Sequence, residues 1–370
     1  MMNANDATLP KRVAAREPPV TVTGALPWLR RNLFDGVANS MATLMAGMLV
    51  LIALWQILDW GVIHAVWVPD LAACRALDHN GACWGVIAEK FRLIFFGRYP
   101  FEEQWRPLAA TLLLTGMIVT SCYRAFWSRK LFAVWVFGLL LFFLVMRGGV
   151  AGLTVVESAR WGGFPLTLLL ATAGIAAAFP LAVLVALGRR SQLPAIRTLC
   201  IVYVELVRGV PLISVLFMAS FLFPLFMPAG LTIDVLLRVL IGIILFSAAY
   251  LAEVVRGGLQ AVPASQREAA LSLGLSYWQI QRTVVLPQAL RAVVPAIVNT
   301  FIGLFKDTSL VTIVSLYELT GSLQLALSDA DWRRFYLEGY LFIALIYFVC
   351  CSTMSRYSLR IEARLSVGAR

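Results

Sequence analysis

The chain has 370 residues, of which 60% are hydrophobic and 14% are charged, and its mean hydropathy is +0.82. Soluble domains hold about 45–50% apolar and about 25% charged residues, so this composition excludes a water-soluble enzyme, a disordered chain and a collagen-like chain. The 31 Lys and Arg residues outnumber the 20 Asp and Glu residues and give a net charge of +11. The basic residues are concentrated in short loops between apolar blocks, which favours a role in membrane orientation over nucleic-acid binding.

The apolar residues fall into eight blocks, each long enough to cross a bilayer, which requires about 20 helical residues. Lipid offers no hydrogen-bond partners to the backbone, so we expect an all-α integral membrane protein with about eight transmembrane helices. The predicted spans cover about residues 38–58, 108–126, 131–148, 164–188, 199–226, 234–255, 291–315 and 338–355.

Basic clusters predict the orientation of these spans. The clusters follow the second, fourth and eighth spans and consist of Arg124, Arg129 and Lys130; Arg189, Arg190 and Arg197; and Arg356, Arg360, Arg364 and Arg370. The positive-inside rule then predicts that these loops and both termini are cytoplasmic. A missed or spurious helix between residues 131 and 164 would invert half of this topology.

The cysteines and histidines give little sign of a chemical site. Cys74 and Cys83 share one polar loop and could form a disulfide if that loop faces an oxidising compartment, but the sequence alone favours two free thiols. The other four Cys residues lie in or beside apolar blocks, where buried Cys is ordinary packing. The two histidines, His64 and His79, lack metal-ligand spacing, so we expect no metal site.

The lysines exclude one mechanism of ATP hydrolysis. A P-loop needs Gly-Lys-Ser/Thr, because the Lys reaches the phosphates. None of Lys11, Lys90, Lys130 and Lys306 follows a Gly. We therefore expect no ATPase activity and no cofactor in this chain. A membrane enzyme is the least favoured class, since no nucleophile–base pair is visible.

The composition of the spans changes near residue 160. The first three spans are rich in Trp and Phe, whereas the last five carry Gly, Pro, Ser, Thr and charged residues. Small residues allow helices to approach closely, and polar residues line pathways. The predicted organisation is a cytoplasmic tail over 1–36, a three-span extension over 37–160 with an external loop over 60–107, a five-span core over 161–360 with a cytoplasmic loop over 256–290, and a tail over 361–370.

The loop between the sixth and seventh spans predicts a helix–turn–helix outside the membrane. Ser265 and Glu268 fit a capping box, and Gly274 suits a helix C-terminus with positive φ. Ser276 and Gln279 repeat the capping pattern and predict a second helix. On local pattern alone, an ordinary amphipathic interfacial loop fits as well.

This loop carries a family resemblance. Glu268-Ala269-Ala270, Gly274, Val284 and Leu286-Pro287 have the spacing of the EAA motif of ABC-importer permease subunits, although the family usually has Ile at the position of Val284. Segments 203–212, 253–258 and 306–310 resemble the polar-amino-acid branch of that family, closest to a general L-amino-acid permease subunit. The resemblance covers about residues 160–360. It implies a five-helix type I importer core, preceded here by three extra N-terminal helices, in the bacterial inner membrane.

The resemblance also implies partners and roles. The loop 265–287 would dock on a cytoplasmic ABC ATPase dimer, with Glu268, Ala269, Ala270 and Gly274 as the docking surface. Leu286 and Pro287 would fix the return into the seventh span, with Pro287 ending the second short helix. A homologous second permease subunit, as a homodimer or a heterodimer, and a periplasmic amino-acid-binding protein would complete the transporter within the membrane lipid.

Two pairs of opposite charges lie near span ends. Glu205 and Arg208 are three residues apart, as are Glu253 and Arg256, so each pair can meet on one helix face. For Glu205 and Arg208 we weigh a structural pair at the membrane boundary against a gate on the cytoplasmic side. For Glu253 and Arg256, orientation of the following loop is the favoured interpretation.

Lys306 and Asp307 lie inside the seventh span, with Ser309 close by. Charges in hydrocarbon cost several kcal/mol unless they face a polar interior, so we favour a role lining the pathway or its gate over a structural pair. The competing function is a secondary transporter driven by H⁺ or Na⁺. That class predicts acidic residues deep inside several spans, and here only Asp307 qualifies.

Overall fold

The computed structural model describes residues 24–77, 80–150, 152–228, 230 and 232–367. The described residues are mostly helical and form no extended strand, and an isolated β-bridge joins Gly163 to Glu318. The α-helices are α1 Ala25–Asn32, α2 Val37–Leu58, α3 Leu71–Ala76, α4 Gly85–Phe96, α5 Trp105–Cys122, α6 Arg129–Arg147, α7 Gly163–Gly188, α8 Pro194–Gly209, α9 Leu212–Phe217, α10 Val235–Ala261, α11 Ala264–Ser272, α12 Tyr277–Gln279, α13 Leu286–Asp307, α14 Leu319–Ala326 and α15 Tyr336–Val367.

The chain forms two compact units, one made of residues 1–66 and 75–82 and the other of residues 67–74 and 83–370. In the first unit, α2 continues as a π-helical turn to Ile63, and none of its side chains is buried. A short return segment closes on this turn, because the N–H of Ala82 donates to the carbonyl of Trp60 at 2.8 Å. The predominantly apolar, unburied surface of α2 is typical of a lipid-facing helix.

The described residues contain seven helices that are long and apolar enough to cross a membrane, and an eighth span if one bent pair is counted as a single crossing. This confirms the prediction of about eight transmembrane helices. The seven run from Val37–Ile63, Phe101–Cys122, Lys130–Arg147, Gly163–Gly188, Val235–Ala261, Tyr277–Val314 and Arg333–Arg364. Several ends differ from the prediction, and the last helix continues through most of the expected tail at 361–370.

The fifth predicted span, 199–226, is wrong as one continuous helix. It consists of Pro194–Gly209 and Leu212–Phe226, which are bent by 103°. Val210 is extended at the break, with φ −109° and ψ 137°. Pro211 causes this conformation, because its ring disfavours the helical region for the preceding residue and it offers no N–H. The second half is irregular, with a π-helical turn over Met218–Leu222 followed by a 3₁₀ turn.

The prediction that Pro287 ends a helix is also wrong. A π-helical segment, Ile280–Val285, joins α12 to α13, and Pro287 lies in the first turn of α13. A proline is tolerated there because the first N–H groups of an α-helix have no intrahelical partner. The chain is therefore nearly continuously helical from Tyr277 into the seventh span, and we call this helical segment the rod.

The core of the second unit is built on α7 and α10, which pack along each other, while α13 packs on both. Small residues allow the closest approach. A Cβ at Gly258 of α10 would lie 2.5 Å from the carbonyl oxygen of Ala289 on α13, whereas a Cβ at the adjacent Gly257 would meet nothing within 4 Å. Gly258 therefore sets the separation of α10 and α13 beside the 262–286 loop.

The region at the other end of this bundle is held by segments from both halves of the sequence. Helix α4 packs against α14. Lys90 of α4 is paired with Asp329 at 2.8 Å, and this hydrogen bond holds the pKa of the Asp329 carboxyl below its usual range. Cys74 and Cys83 are joined as a disulfide with a Cα–Cα distance of 5.4 Å, which resolves the alternative left open by the sequence. The N–H of Cys83 donates to Glu338 at 2.8 Å.

The two neighbouring glycines of α10 give a matched test of this packing. Gly258→Ala should destabilise the protein by about 1–3 kcal/mol, because backbone atoms of α13 cannot move aside cheaply. Gly257→Ala should be neutral or stabilising by about 0.5–1 kcal/mol, since Ala is the better helix former. Thermal unfolding of the two purified variants measures the difference, and equal melting temperatures would contradict the close approach of α10 and α13.

Candidate functional site: the 262–286 loop and the adjoining charges

The loop between α10 and α13 is a compact, turn-stabilised projection. Gly274 has φ +76° and ends the first short helix, as the sequence predicts. Ser276 and Gln279 form the predicted capping box, in which the N–H of Ser276 donates to Gln279 Oε1 at 2.8 Å. The predicted box at Ser265 and Glu268 is not formed, because α11 begins at Ala264, one residue before the expected cap, and Pro263 takes the N-cap position.

The loop has a buried underside and an exposed apolar surface. Ala270 is only 4% exposed and packs in one buried cluster with Ile280 and Val285. In contrast, Leu273 is 80% exposed and Trp278 is 67% exposed, and Leu271 and Tyr277 are also exposed. Large exposed apolar side chains on a rigid support are typical of a protein-interaction surface.

The predicted docking residues therefore divide into two groups. Glu268, Ala269 and Gly274 are exposed, whereas the side chain of Ala270 is buried and cannot belong to the surface. The expectation for Ala270 is corrected accordingly: its small side chain lets α11 sit directly on the rod that leads into α13. Pro287 is exposed and Leu286 is partly buried at the start of α13.

An ion-pair network lies where α7, α8 and α10 end beside this loop. Glu253 of α10 accepts from Arg189 at 2.6 Å, approaches Arg208 at 3.8 Å and pairs with Arg256 on its own helix. Arg189, in turn, reaches Glu205 at 3.1 Å. One carboxylate thus binds guanidinium groups from three segments of the chain, and we call these five residues the Glu253 network.

The network changes the predicted pairing. Glu253 and Arg256 form the expected pair. Within the described part of the chain, however, no ion pair joins Glu205 to Arg208, because Arg189 and Glu253 bind them instead. Arg190 adds a further contact by donating to the carbonyl of Leu259 at 2.7 Å. Burial lowers the pKa of the Arg190 guanidinium, and the nearby charge of Arg267 acts in the same direction.

A cavity of about 300 Å³ lies between α10 and α13, further from the loop. It is lined by Phe246, Ser247, Tyr250, Thr300, Gly303, Leu304 and Asp307. Asp307 is therefore the predicted pathway residue that faces this cavity. Lys306 is exposed and Ser309 is partly buried, and neither lines the cavity, since successive helical residues point about 100° apart.

Tyr250 connects the cavity to the Glu253 network. Its ring lies 5.5 Å from the guanidinium carbon of Arg208, and its hydroxyl donates to the Arg208 carbonyl at 3.5 Å. No motif in the sequence singles out Tyr250, although its position three residues before Glu253 places both on one helix face. Arg189 was recognised only as a basic loop residue, because its pairing with Glu253 joins residues 64 positions apart in the chain.

A buried carboxylate at the opposite end was also missed. Glu318 is fully buried, and its oxygens accept from the backbone N–H groups of Thr320 and Gly321 and from the hydroxyl of Tyr347. It caps α14 and fixes this helix against α7 and α15. Only its position just before a short apolar segment could have suggested a cap.

Comparisons with known proteins assign the chain to a family. Residues 178–367, just over half of the chain, match the family of binding-protein-dependent transport system inner membrane components. The chain belongs to this family. It is a permease subunit of an ABC importer and a multi-pass inner membrane protein, and ATP is hydrolysed by a partner chain rather than by this one.

Similar proteins extend the match to nearly the whole chain. The chain is 46% identical to the inner membrane amino-acid ABC transporter permease protein YhdY of Escherichia coli, over 93% of this chain and 94% of that protein. It is 38% identical to the glutamate/glutamine/aspartate/asparagine transport system permease protein BztC of Rhodobacter capsulatus, over 95% and 96%. A crystal structure of an amino acid ABC transporter with histidines shares 31% identity, with a TM-score of 0.49, over 55% of this chain and 92% of that one.

The network predicts unequal effects of removing its two carboxylates. Glu253→Gln should destabilise the protein by about 1–3 kcal/mol, because it leaves three guanidinium groups without their shared partner while Glu253 is only partly exposed. Glu205→Gln should cost less than about 1 kcal/mol, because Glu205 is 60% exposed. Melting temperatures of both variants provide the measurement, and a larger loss for Glu205→Gln would refute the central place of Glu253.

Proposed function

We propose that this permease subunit imports L-amino acids in a complex with an ABC ATPase dimer, a homologous second permease subunit and a periplasmic amino-acid-binding protein. The observation that carries the proposal is the exposed apolar surface of the 262–286 loop, mounted on a continuous rod into α13. The amino-acid substrate is supported by the names of both long relatives. The membership of this chain in the family of binding-protein-dependent transport components favours this function over an ion-driven transporter.

The orientation follows from the loop and the basic residues. We place the 262–286 loop, both termini and the Glu253 network on the cytoplasmic side. The end with Glu318 and α14 is then periplasmic, where the Cys74–Cys83 disulfide meets an oxidising compartment. The binding protein would approach that end, and the extension over 37–160 supplies part of it through α4.

The loop acts as the coupling element in this proposal. Glu268, Ala269 and Gly274 would contact the ATPase together with the exposed Leu273 and Trp278. Because α11 packs on the rod through the buried cluster that contains Ala270 and Ile280, a displacement of the loop moves α13 with it. The hinge-like break at Pro211 lies in the neighbouring span, which the Glu253 network ties to α10 through Arg208.

The pathway would pass the cavity beside Asp307. An amino acid carries an ammonium and a carboxylate, so its route needs acceptors and donors that bind it weakly enough to release it. Asp307 offers an acceptor within the cavity, and Ser247, Tyr250 and Thr300 offer hydroxyl groups. Lys306 and Ser309 stay proposed pathway residues that would act outside this cavity. Glu205 and Arg208 remain the proposed cytoplasmic gate.

Docking on the ATPase predicts a position-specific effect on α11. Ala269→Trp should abolish ATP-driven uptake of radiolabelled amino acid while the amount of protein in the membrane stays unchanged, because the bulky ring blocks the docking surface. Arg267→Trp is the control, since Arg267 is also exposed on this helix but points about 160° away from Ala269 and about 100° away from Glu268. Normal uptake by Ala269→Trp, or equal loss in both variants, would contradict the proposed surface. Bulky replacements of Glu268 and Gly274 should behave as Ala269→Trp does.

The pathway assignment predicts a loss confined to transport. Asp307→Asn should lower the initial uptake rate about tenfold, equivalent to losing about 1.4 kcal/mol of interaction with the substrate ammonium. Glu362→Gln, which removes an exposed carboxylate near the C-terminus, should leave uptake unchanged. Uptake and ATP hydrolysis are measured together in reconstituted vesicles. Unchanged uptake by Asp307→Asn would exclude this cavity as the route.

A further inference from the structure

A second groove, of about 320 Å³, lies between the outer half of the broken span and α10. Its walls are almost wholly apolar, and the only charged residue among those lining it is Arg238. The principal apolar residues are Val215, Leu222, Phe223 and Phe226 on one wall and Ile241 and Leu245 on the other. A permanent cation beside an apolar groove needs a physical explanation, because guanidinium groups in membrane spans are costly unless they are paired.

The guanidinium of Arg238 is only partly used by the protein. Its Nη1 donates to the carbonyl of Ala219 at 3.4 Å and to that of Ser220, both in the π-helical turn. Its Nε is buried and has no hydrogen-bond partner, and no carboxylate among the described residues pairs with this side chain. Asp234, one turn earlier, is occupied with the N–H of Leu236 and the hydroxyl of Ser158. The positive charge of Arg238 therefore lines the groove without a carboxylate partner among the described residues.

The depth of Arg238 matches the boundary between lipid headgroups and acyl chains. Helix α10 has 27 residues and is about 40 Å long, whereas the hydrocarbon core is about 30 Å thick. About 5 Å of the helix therefore extends past the core at each end, and Arg238 is three residues, or about 4.5 Å, after Val235. Ile241, Gly242 and Leu245 follow on the same helix face, so the groove continues from Arg238 towards the bilayer midplane.

From this arrangement we infer that the groove binds one phospholipid with a net negative headgroup. The phosphodiester accepts from Arg238, whose planar guanidinium suits phosphate oxygens, and one acyl chain lies along the groove. The uncompensated charge of Arg238 selects an anionic over a zwitterionic headgroup. The lipid would thereby support the irregular segment that follows Pro211, which contains a π-helical turn and a 3₁₀ turn.

Two substitutions separate lipid binding from the structural role of Arg238. Arg238→Gln removes the charge, and it also removes the contacts to the π-helical turn. Gly242→Leu fills the groove and leaves Arg238 unchanged. Gly242→Ala is its matched control, because the new Cβ would meet Ala219 Cβ at 3.5 Å and Val215 Cγ1 at 3.7 Å, which are ordinary contacts. Melting temperatures establish that each variant is folded.

The experiment measures phosphatidylglycerol bound to the complete transporter, purified in mild detergent, by native mass spectrometry. We expect tight binding of one molecule per copy of this chain, a loss of at least about tenfold in affinity for Arg238→Gln and Gly242→Leu, and wild-type binding for Gly242→Ala. Phosphatidylcholine with the same chains should bind at least about tenfold more weakly, and glycerol phosphate, which lacks chains, should not compete. Equal phosphatidylglycerol binding by all variants would overturn the inference. It would also be overturned if a photo-crosslinking amino acid at Leu222 formed adducts only with a second permease subunit.

Discussion

The ion pairs of the shared Glu253 carboxylate connect the helix ends beside the 262–286 loop, and the proposed coupling depends on them. Glu253 binds guanidinium groups from the end of α7, from α8 and from its own helix, so the ends of three helices move together at the side of the 262–286 loop. The ring of Tyr250 carries this connection towards the cavity beside Asp307. In a bilayer such a network is costly to break, because each released charge would lose its partner near hydrocarbon.

Close helix packing complements the network. Gly258, two residues after Arg256, brings α10 against α13, and Ala270 packs the loop on the rod that becomes α13. The loop therefore has rigid connections to two spans that line the cavity. The span containing Pro211 is different, since its second half is not a regular α-helix. Arg238 donates a hydrogen bond to a backbone carbonyl of the π-helical turn in this half. Regular and irregular spans are thus neighbours around the proposed pathway, which suits a protein proposed to alternate between two openings.

The sequence predicted the features that depend on local chemistry. The membrane spans follow from apolar runs, Gly274 from the need for positive φ, and the capping box from Ser276 and Gln279. It failed where distant segments decide the outcome. The helix breaks at Pro211 but continues past Pro287. Each outcome depends on whether neighbouring turns provide hydrogen-bond partners for the backbone groups beside the proline. The partners of Glu205 and Arg208, and the burial of Ala270 and Glu318, depend on contacts between helices that no local pattern reveals.

We propose that the 262–286 loop is the contact through which a separate ATPase drives this permease. A photo-crosslinking amino acid at Ala269, in the complete transporter reconstituted in vesicles, tests it most directly. We expect an adduct with the ATPase whose yield changes when ATP binds, and little adduct from the same probe at Arg267. A fully active transporter in which neither position reaches the ATPase would contradict the account.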